Sequence, residues 1–172
     1  MALALGIDLL TAPLPNVELL SLTIFLGGAA TGPLAGCFIG GVTELIHSTL
    51  NPLGPAFPLV FVGQLLGMGT VGWAGGKFGP QVARLGRVAS IAALAGLGFV
   101  LTVFFDLLTN LALGIHLGPV LPTLAGGILF AIAHIVSNTF VFAGLGLGGL
   151  RVLRELGLVE GKEGAGSRCA RG

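Results

Sequence analysis

Residues 44–64 read ELIHSTLNPLGPAFPLVFVGQ and combine a polar helix end, a rigid break and the start of an apolar helix. Glu44, His47 and Ser48 lie within about one helical turn, and Gln64 follows the break inside an apolar run. The break, NPLGPAFP, holds three prolines, which lack an amide hydrogen and interrupt helices. We therefore expect two helices joined by a stiff loop. Polar side chains on both sides of this loop predict the mouth of a lined cavity, around which the other helices are arranged.

The composition indicates the environment of these helices. The chain has 172 residues, of which 54% are hydrophobic and 9% are charged, and its mean hydropathy is +1.02. Soluble domains carry about 25% charged residues, so the chain is predicted to be an integral membrane protein. At about 20 residues per span, its length allows five or six helices and leaves no room for a separate soluble domain.

We predict an all-α membrane fold, a bundle of six transmembrane helices whose first helix is truncated. Residues 1–150 form the bundle, and residues 151–172 form a partly disordered cytoplasmic tail. Residues 1–12 are apolar but cover only about half of a 30 Å hydrocarbon core. They are either a half-helix packed on its neighbours or the end of a longer helix, and we favour the second interpretation. The remaining helices are expected at 17–31, 34–50, 59–76, 88–113 and 120–150.

The basic residues set the predicted orientation. The chain has eight Lys and Arg residues, and none precedes Lys77. The positive-inside rule places the basic loop at 77–87 and the C-terminus in the cytoplasm of a multi-pass protein of the cell membrane. Residues 44–64 then face outward. Because Cys37 lies in an apolar run and Cys169 in the tail, we expect two free thiols.

Ten polar residues form the predicted substrate-binding set. Ionisable groups within a membrane are costly and normally face the bundle interior or water. Most of these side chains fall in the outer half of their helices, and His134 and Asn138 lie deeper. Every Lys and Arg is at the opposite side, so the outer acids lack a fixed cationic partner, which favours a neutral or cationic ligand. The set is Asn16, Glu18, Glu44, His47, Asn51, Gln64, Asp106, Asn110, His134 and Asn138.

The same residues also permit purely structural interpretations. Glu18 would favour the start of its helix through the helix dipole, and Asp106 could reach interfacial water. Two pairs at helical spacing could be hydrogen bonds without a ligand, namely Glu44 with His47 and His134 with Asn138. The glycines at 28, 32, 36 and 40 recur every four residues and predict close helix packing.

Other chemistries lack their motifs. The GGK sequence at 75–77 is not a phosphate loop, because Val71 replaces the first glycine and Phe78 the Ser or Thr. No HExxH spacing and no paired cysteines support a metal, and no cofactor is predicted. Ser48 does not lie in a nucleophile elbow, so a serine hydrolase is not predicted. The basic loop carries too few cations to bind nucleic acid. His116 is expected to lie in a loop, exposed to solvent. An intramembrane enzyme using Glu44, His47 or His134, and a non-transporting scaffold, are the alternatives.

Two segments resemble a known family. PNVELLSLTIFLGGAATGPLAGCFIGG at 15–41 and STLNPLGPAFPLVFVGQLLGMG at 48–69 are similar to the substrate-binding S component of energy-coupling factor (ECF) vitamin transporters. The resemblance extends to about residue 150 and rests on Gly, Pro and polar patterns. It implies a six-helix bundle, without enzymatic activity, that captures a vitamin or related micronutrient from outside.

The resemblance also implies partners. Family members work with a transmembrane T component and two cytoplasmic ATPases, and they reorient in the bilayer. Docking on the T component uses an Ala-x-x-x-Ala pattern on the first helix, whose counterpart here is Ala2 and Gly6. Gly6 departs from that pattern, and most of that helix is missing, which agrees with the predicted truncated start.

Overall fold

Helices account for nearly all of the part of the chain that the computed structural model describes, residues 19–51 and 54–159. α1 and α2 are separated by Gly32 alone, and the break that follows α2 separates it from three longer helices. Within the last helix, a π-helical segment, Phe142–Gly146, lies between two α-helical parts. The five helices of the described residues are α1 Leu20–Thr31, α2 Pro33–Thr49, α3 Pro58–Val82, α4 Arg87–Leu117 and α5 Val120–Glu155.

Three of these helices are long and apolar enough to cross a membrane, which indicates a membrane-embedded protein. They are α3, α4 and α5, with 25, 31 and 36 residues. α1 and α2 have 12 and 17 residues, fewer than the about 20 that a span needs. The predicted count of six crossing helices is therefore not matched by the described residues, and the predicted first helix at 1–12 lies outside them.

α1, α2 and α3 pack through glycines. A side chain at Gly36 would collide with the carbonyl oxygen of Gly72, and one at Gly72 would collide with that of Gly36. Gly40 approaches the backbone of Met68 equally closely. The predicted glycine ladder is thus used within this chain, where it allows backbone contact between α2 and α3.

Several predicted boundaries differ from those observed. α3 does not end near residue 76 but continues through Lys77 and Pro80 to Val82, because Gly75 and Gly79 pack directly against α1. The basic segment is therefore largely helical, and only residues 83–86 connect α3 to α4. Nearer the C-terminus, α5 ends at Glu155, five residues beyond the predicted helix end at 150.

His116 also differs from its prediction. It lies in the last turn of α4 and its exposed ring stacks on Phe57, with ring centroids 4.2 Å apart and planes at 27°. Phe57 is the residue before α3, so this contact joins the end of the proline-rich break to the end of α4. The break itself is confirmed, since α2 ends at Thr49 and α3 begins at Pro58.

The core lies on the inner side of the bundle, and the outer side is apolar. Phe25 of α1 and Phe142 of α5 are buried and pack edge to face, with centroids 5.4 Å apart. Along α5, by contrast, only 11% of its most apolar 18-residue stretch is buried, and Leu129, Phe130 and Phe140 are exposed. An apolar exposed surface of this extent agrees with contact to lipid.

Candidate functional site

The first polar cluster lies between α2 and α3. Glu44 is 1% exposed, and its Oε1 lies 2.9 Å from the hydroxyl of Ser48 and 3.7 Å from Nδ1 of His47. The Ser48 hydroxyl also lies 2.9 Å from the side-chain amide of Gln64. α2 therefore places Glu44, His47 and Ser48 on one end, and α3 adds Gln64 across the proline-rich break.

The two contacts of Ser48 limit which group donates and which accepts in each hydrogen bond. A hydroxyl has one hydrogen, so it cannot donate to Glu44 and to the oxygen of Gln64 together. Both contacts can be hydrogen bonds at once if the side-chain amide of Gln64 is rotated so that its nitrogen faces Ser48. This rotation keeps the heavy atoms in place, because it only exchanges the amide oxygen and nitrogen. Gln64 then donates to Ser48, and Ser48 donates to Glu44. In this arrangement, the serine interacts with a carboxylate and an amide.

The second polar cluster lies between α4 and α5. Asp106 Oδ1 is 2.8 Å from Nδ1 of His134, and Nε2 of His134 is 3.1 Å from the amide nitrogen of Asn138. Asn138 also donates to the hydroxyl of Thr102 at 3.1 Å, and Thr102 donates to the carbonyl of Gly98. Because Asn138 donates to Nε2, the hydrogen of the His134 ring lies on Nδ1 and is donated to Asp106.

Two oxygens of this cluster are buried without a hydrogen-bond partner in the described structure. They are Oδ2 of Asp106 and Oδ1 of Asn138. Asp106 is 8% exposed, and a buried polar atom without a partner commonly costs about 1–3 kcal/mol. The cluster is thus rich in acceptors, and a donating or cationic group would be the complementary addition.

A cleft opens on the same two helices. It has a volume of about 240 Å³, and Asp106 and Asn110 are its polar residues among an apolar lining that includes Leu107, Leu124 and Ile128. Asn110 donates to the backbone carbonyl of Asp106 at 2.8 Å. On the inner side of the cluster, the void beside His134 and Asn138 leaves no space for a water molecule. Of these two spaces, the cleft is the one beside Asp106 with room for a ligand, and Oδ2 of Asp106 is itself buried.

An aromatic ring separates the two clusters. Phe105 of α4 packs against Gly67 of α3, and its ring lies edge to face with His134 at 6.1 Å. Gly63 likewise packs against α4 at Leu108, which puts Gln64 and Asp106 at a similar level. The described polar candidates of these helices therefore form two hydrogen-bonded groups, and Phe105 packs between Gly67 and His134.

The other predicted site residues have different positions. Asn51 lies in the break, where its carbonyl accepts the amide of Gly54 at 3.0 Å. Asn16, Glu18 and the predicted docking residues Ala2 and Gly6 lie outside the described residues.

Sequence reasoning missed two contributors to the second cluster. Thr102 holds Asn138, and a threonine in an apolar helix gives no signal of this role until its neighbour is known. The π-helical segment starts four residues after Asn138, and the amide of Phe142 donates to the carbonyls of Asn138 and Thr139. Such segments occur frequently at functional sites, but no composition rule locates them.

The described residues show no group of side chains that could hold a metal ion. Within residues 19–51 and 54–159, no three His, Cys, Asp or Glu side chains come together as metal ligands would. Cys37 is a free, exposed thiol, as predicted, and Cys169 lies outside these ranges.

No protein-family model, curated protein or solved structure matches the chain.

Proposed function

We propose that this chain is the high-affinity substrate-binding membrane subunit, the S component, of an ECF-type importer for a vitamin or related micronutrient. The substrate is neutral or cationic. The subunit has no enzymatic activity of its own and works with a T component and two cytoplasmic ATPases. It lies in the cell membrane with its C-terminus in the cytoplasm. The resemblance of residues 15–41 and 48–69 to that family motivates the proposal.

The position of Asp106 is the observation that supports a neutral or cationic ligand. Its carboxylate borders a cleft of about 240 Å³, one oxygen is held by His134, and the other is buried without a partner. Small-molecule sites are typically apolar cavities with a few placed polar groups. Five basic residues lie in the described ranges, and all of them are at the other end of the bundle, at Lys77, Arg84, Arg87, Arg151 and Arg154.

A binding assay on the whole chain tests this proposal. The purified protein in lipid nanodiscs is heated with a panel of unphosphorylated vitamins and their phosphate esters. We expect one member to raise the unfolding temperature and its phosphate ester to be the weaker ligand. Asp106→Asn should weaken that binding at least about tenfold, since a charge-assisted hydrogen bond is replaced by a neutral one.

The matched control is Thr70→Val, which removes an exposed hydroxyl on α3 that donates to the carbonyl of Leu66 in its own helix. This variant should bind as the wild type does. Absence of a response to every panel member, or preference for a phosphate ester over its parent alcohol, would contradict the proposal. Mass spectrometry of small molecules and subunits that co-purify from native membranes identifies the ligand and partners independently.

The enzyme alternative has one supporting observation, the 2.8 Å contact between Asp106 and His134. A carboxylate that orients an imidazole occurs in general-base catalysis. Here, however, Nε2 of His134 accepts from Asn138, so the nitrogen that would receive a substrate proton is already used. The alternative requires turnover that is lost in His134→Ala while binding is retained.

A further inference from the structure

A second candidate site lies at the opposite end of the bundle from the polar clusters. A small cavity of about 90 Å³ is enclosed there by the 83–86 connection, the start of α4 and the end of α5. Three arginines line it, Arg87 from α4 and Arg151 and Arg154 from α5. We call this the arginine cavity.

The charges of the arginine cavity are not neutralised within the described chain. Arg87 and Arg151 have no carboxylate within salt-bridge distance among the described residues. Arg154 donates to the carbonyl of Ala83 at 3.4 Å, and both residues line the cavity, so this bond ties the end of α5 to the 83–86 connection. Glu155 is the one acid of the described residues at this end, and it does not line the cavity. Three guanidinium groups that line one cavity, with no carboxylate among its described lining residues, favour an anion.

The backbone adds to this preference. α4 starts at the cavity, and Gly86 before it has no side chain that could cap the helix. The first amides of a helix have no partner within the helix and carry partial positive charge. The start of α4 therefore adds donors beside Arg87, and the combination of helix start and guanidinium groups suits a phosphate group.

The surroundings indicate where that phosphate comes from. Exposed apolar side chains occur at the cavity and next to it in the chain. Leu85 lines the cavity, and Val88, Val152 and Leu156 lie within two residues of its lining arginines. The cavity also lies where three helices that can cross a membrane begin or end. A soluble anion makes no favourable contact with exposed apolar side chains, whereas the acyl chains of a phospholipid can contact them while its phosphate lies in the cavity.

We propose that the arginine cavity binds the phosphate group of an anionic phospholipid at the membrane surface. The volume of about 90 Å³ accommodates a phosphate group and is well below that of pockets for molecules of nucleotide size. Arg87 and Arg151 bind the phosphate oxygens, and Arg154 is held in place by the 83–86 connection. Lipid binding would thereby tie α5 to α4 at this end of the bundle.

The test compares two double variants with the same loss of charge. Arg87→Gln with Arg151→Gln removes two lining cations, and Lys77→Gln with Arg84→Gln removes two cations at the same end outside the cavity. Unfolding temperature is measured in neutral detergent against phosphatidylglycerol, phosphatidylcholine and inorganic phosphate. We expect phosphatidylglycerol to stabilise the wild type and the control variant, and the lining variant to need at least about tenfold more of it for the same rise.

Each arm can overturn the proposal. Equal responses of the two double variants would show that only overall charge matters. A response to inorganic phosphate equal to that of the lipid would assign the cavity to a soluble phosphate, and no response to either would leave an acidic protein as the better partner. If the lining variant fails to fold, native mass spectrometry of the wild type decides, because retention of phosphatidylglycerol no greater than that of phosphatidylcholine excludes the lipid.

Discussion

At the scale of single residues, His134 keeps the buried Asp106 carboxylate paired. Replacing His134 with Ala would leave both oxygens of Asp106 without a side-chain partner, since Oδ2 already has none. A buried acceptor that loses its hydrogen-bond donor costs at least about 1–3 kcal/mol, and a charged acceptor lies at the upper end. We expect His134→Ala to lower the free energy of unfolding by about 3 kcal/mol, measured by denaturation in micelles.

Two further variants make this expectation specific. His116→Ala changes an exposed histidine at the end of the same helix as Asp106 and should cost well under half as much. Adding Asp106→Asn to His134→Ala should restore part of the lost stability, because the carboxylate that lost its partner becomes neutral. A double variant less stable than His134→Ala alone would show that the pair does not act as described.

The Asp106–His134 pair also shows which side-chain contacts sequence spacing can predict and which it cannot. Spacing along one helix correctly groups Glu44 with His47, and His134 with Asn138, since residues three or four apart share a face. Asp106 and His134 are 28 positions apart on different helices. Both residues could be selected from the sequence as candidates. Their contact depends on how α4 and α5 are rotated about their axes, which the even distribution of apolar residues around these helices does not reveal.

At the scale of elements, the α2–α3 contact depends on glycine. A methyl group at Gly36 would meet the carbonyl of Gly72, a backbone atom that cannot rotate away. We expect Gly36→Ala to separate the two helices and to lower the free energy of unfolding by about 1–3 kcal/mol, as overpacking does. Gly41→Ala is the matched control in the same helix, since nothing lies within 4 Å of its added carbon. It should be neutral or stabilise by up to about 1 kcal/mol.

The π-helical segment of α5 yields a second prediction at this scale. Phe142 begins the segment and is buried against Phe25, whereas Phe140, two residues earlier, is 72% exposed. Phe142→Ala should therefore lower the free energy of unfolding by about 3–5 kcal/mol. Phe140→Ala should change it by about 0.5 kcal/mol or less. Similar losses in the two variants, measured under the same detergent conditions, would contradict this assignment of core and outer surface.

Elements bounded by strong local signals are the ones that sequence could predict. The three prolines after α2 end that helix whatever surrounds them, and the break is found where they stand. Pro80 is the same kind of local signal, yet α3 continues to Val82. There, Gly75, Gly76 and Gly79 pack against α1 and the α1–α2 turn, so tertiary contact maintains the last turns of the helix. A helix end decided by packing cannot be predicted from the local sequence.

At the scale of the whole molecule, hydropathy and charge carry the prediction of a membrane-embedded protein. The apolar exposed face of α5 and the position of the described Lys and Arg residues at one end of the bundle both agree with lipid around the bundle. Composition predicts this well because the cost of burying charge in hydrocarbon acts on every residue of a span. The number of crossing helices is less predictable, since α1 and α2 are apolar and helical but shorter than a span.

The orientation of the bundle can be tested through its two ends. α3 has 25 residues, which corresponds to about 37 Å of helix, so the break before it and the 83–86 connection after it should face opposite sides of the membrane. In a background with Cys37→Ser and Cys169→Ser, Pro55→Cys and Gly86→Cys each place one thiol on an exposed connection. We expect an impermeant maleimide to label Pro55→Cys in intact cells and Gly86→Cys only after the membrane is opened.

This labelling pattern follows from the distribution of cations. All five basic residues of the described ranges lie at the end of the bundle that contains Gly86, and the inner side of the membrane retains such residues. A third variant, Thr31→Cys, provides the internal control, because it is exposed beside the α1–α2 turn at the same end and should label as Gly86→Cys does. Labelling of both ends from outside would contradict the crossing by α3. The reverse pattern would place the Asp106 cleft toward the cytoplasm, where it could not capture a substrate from outside.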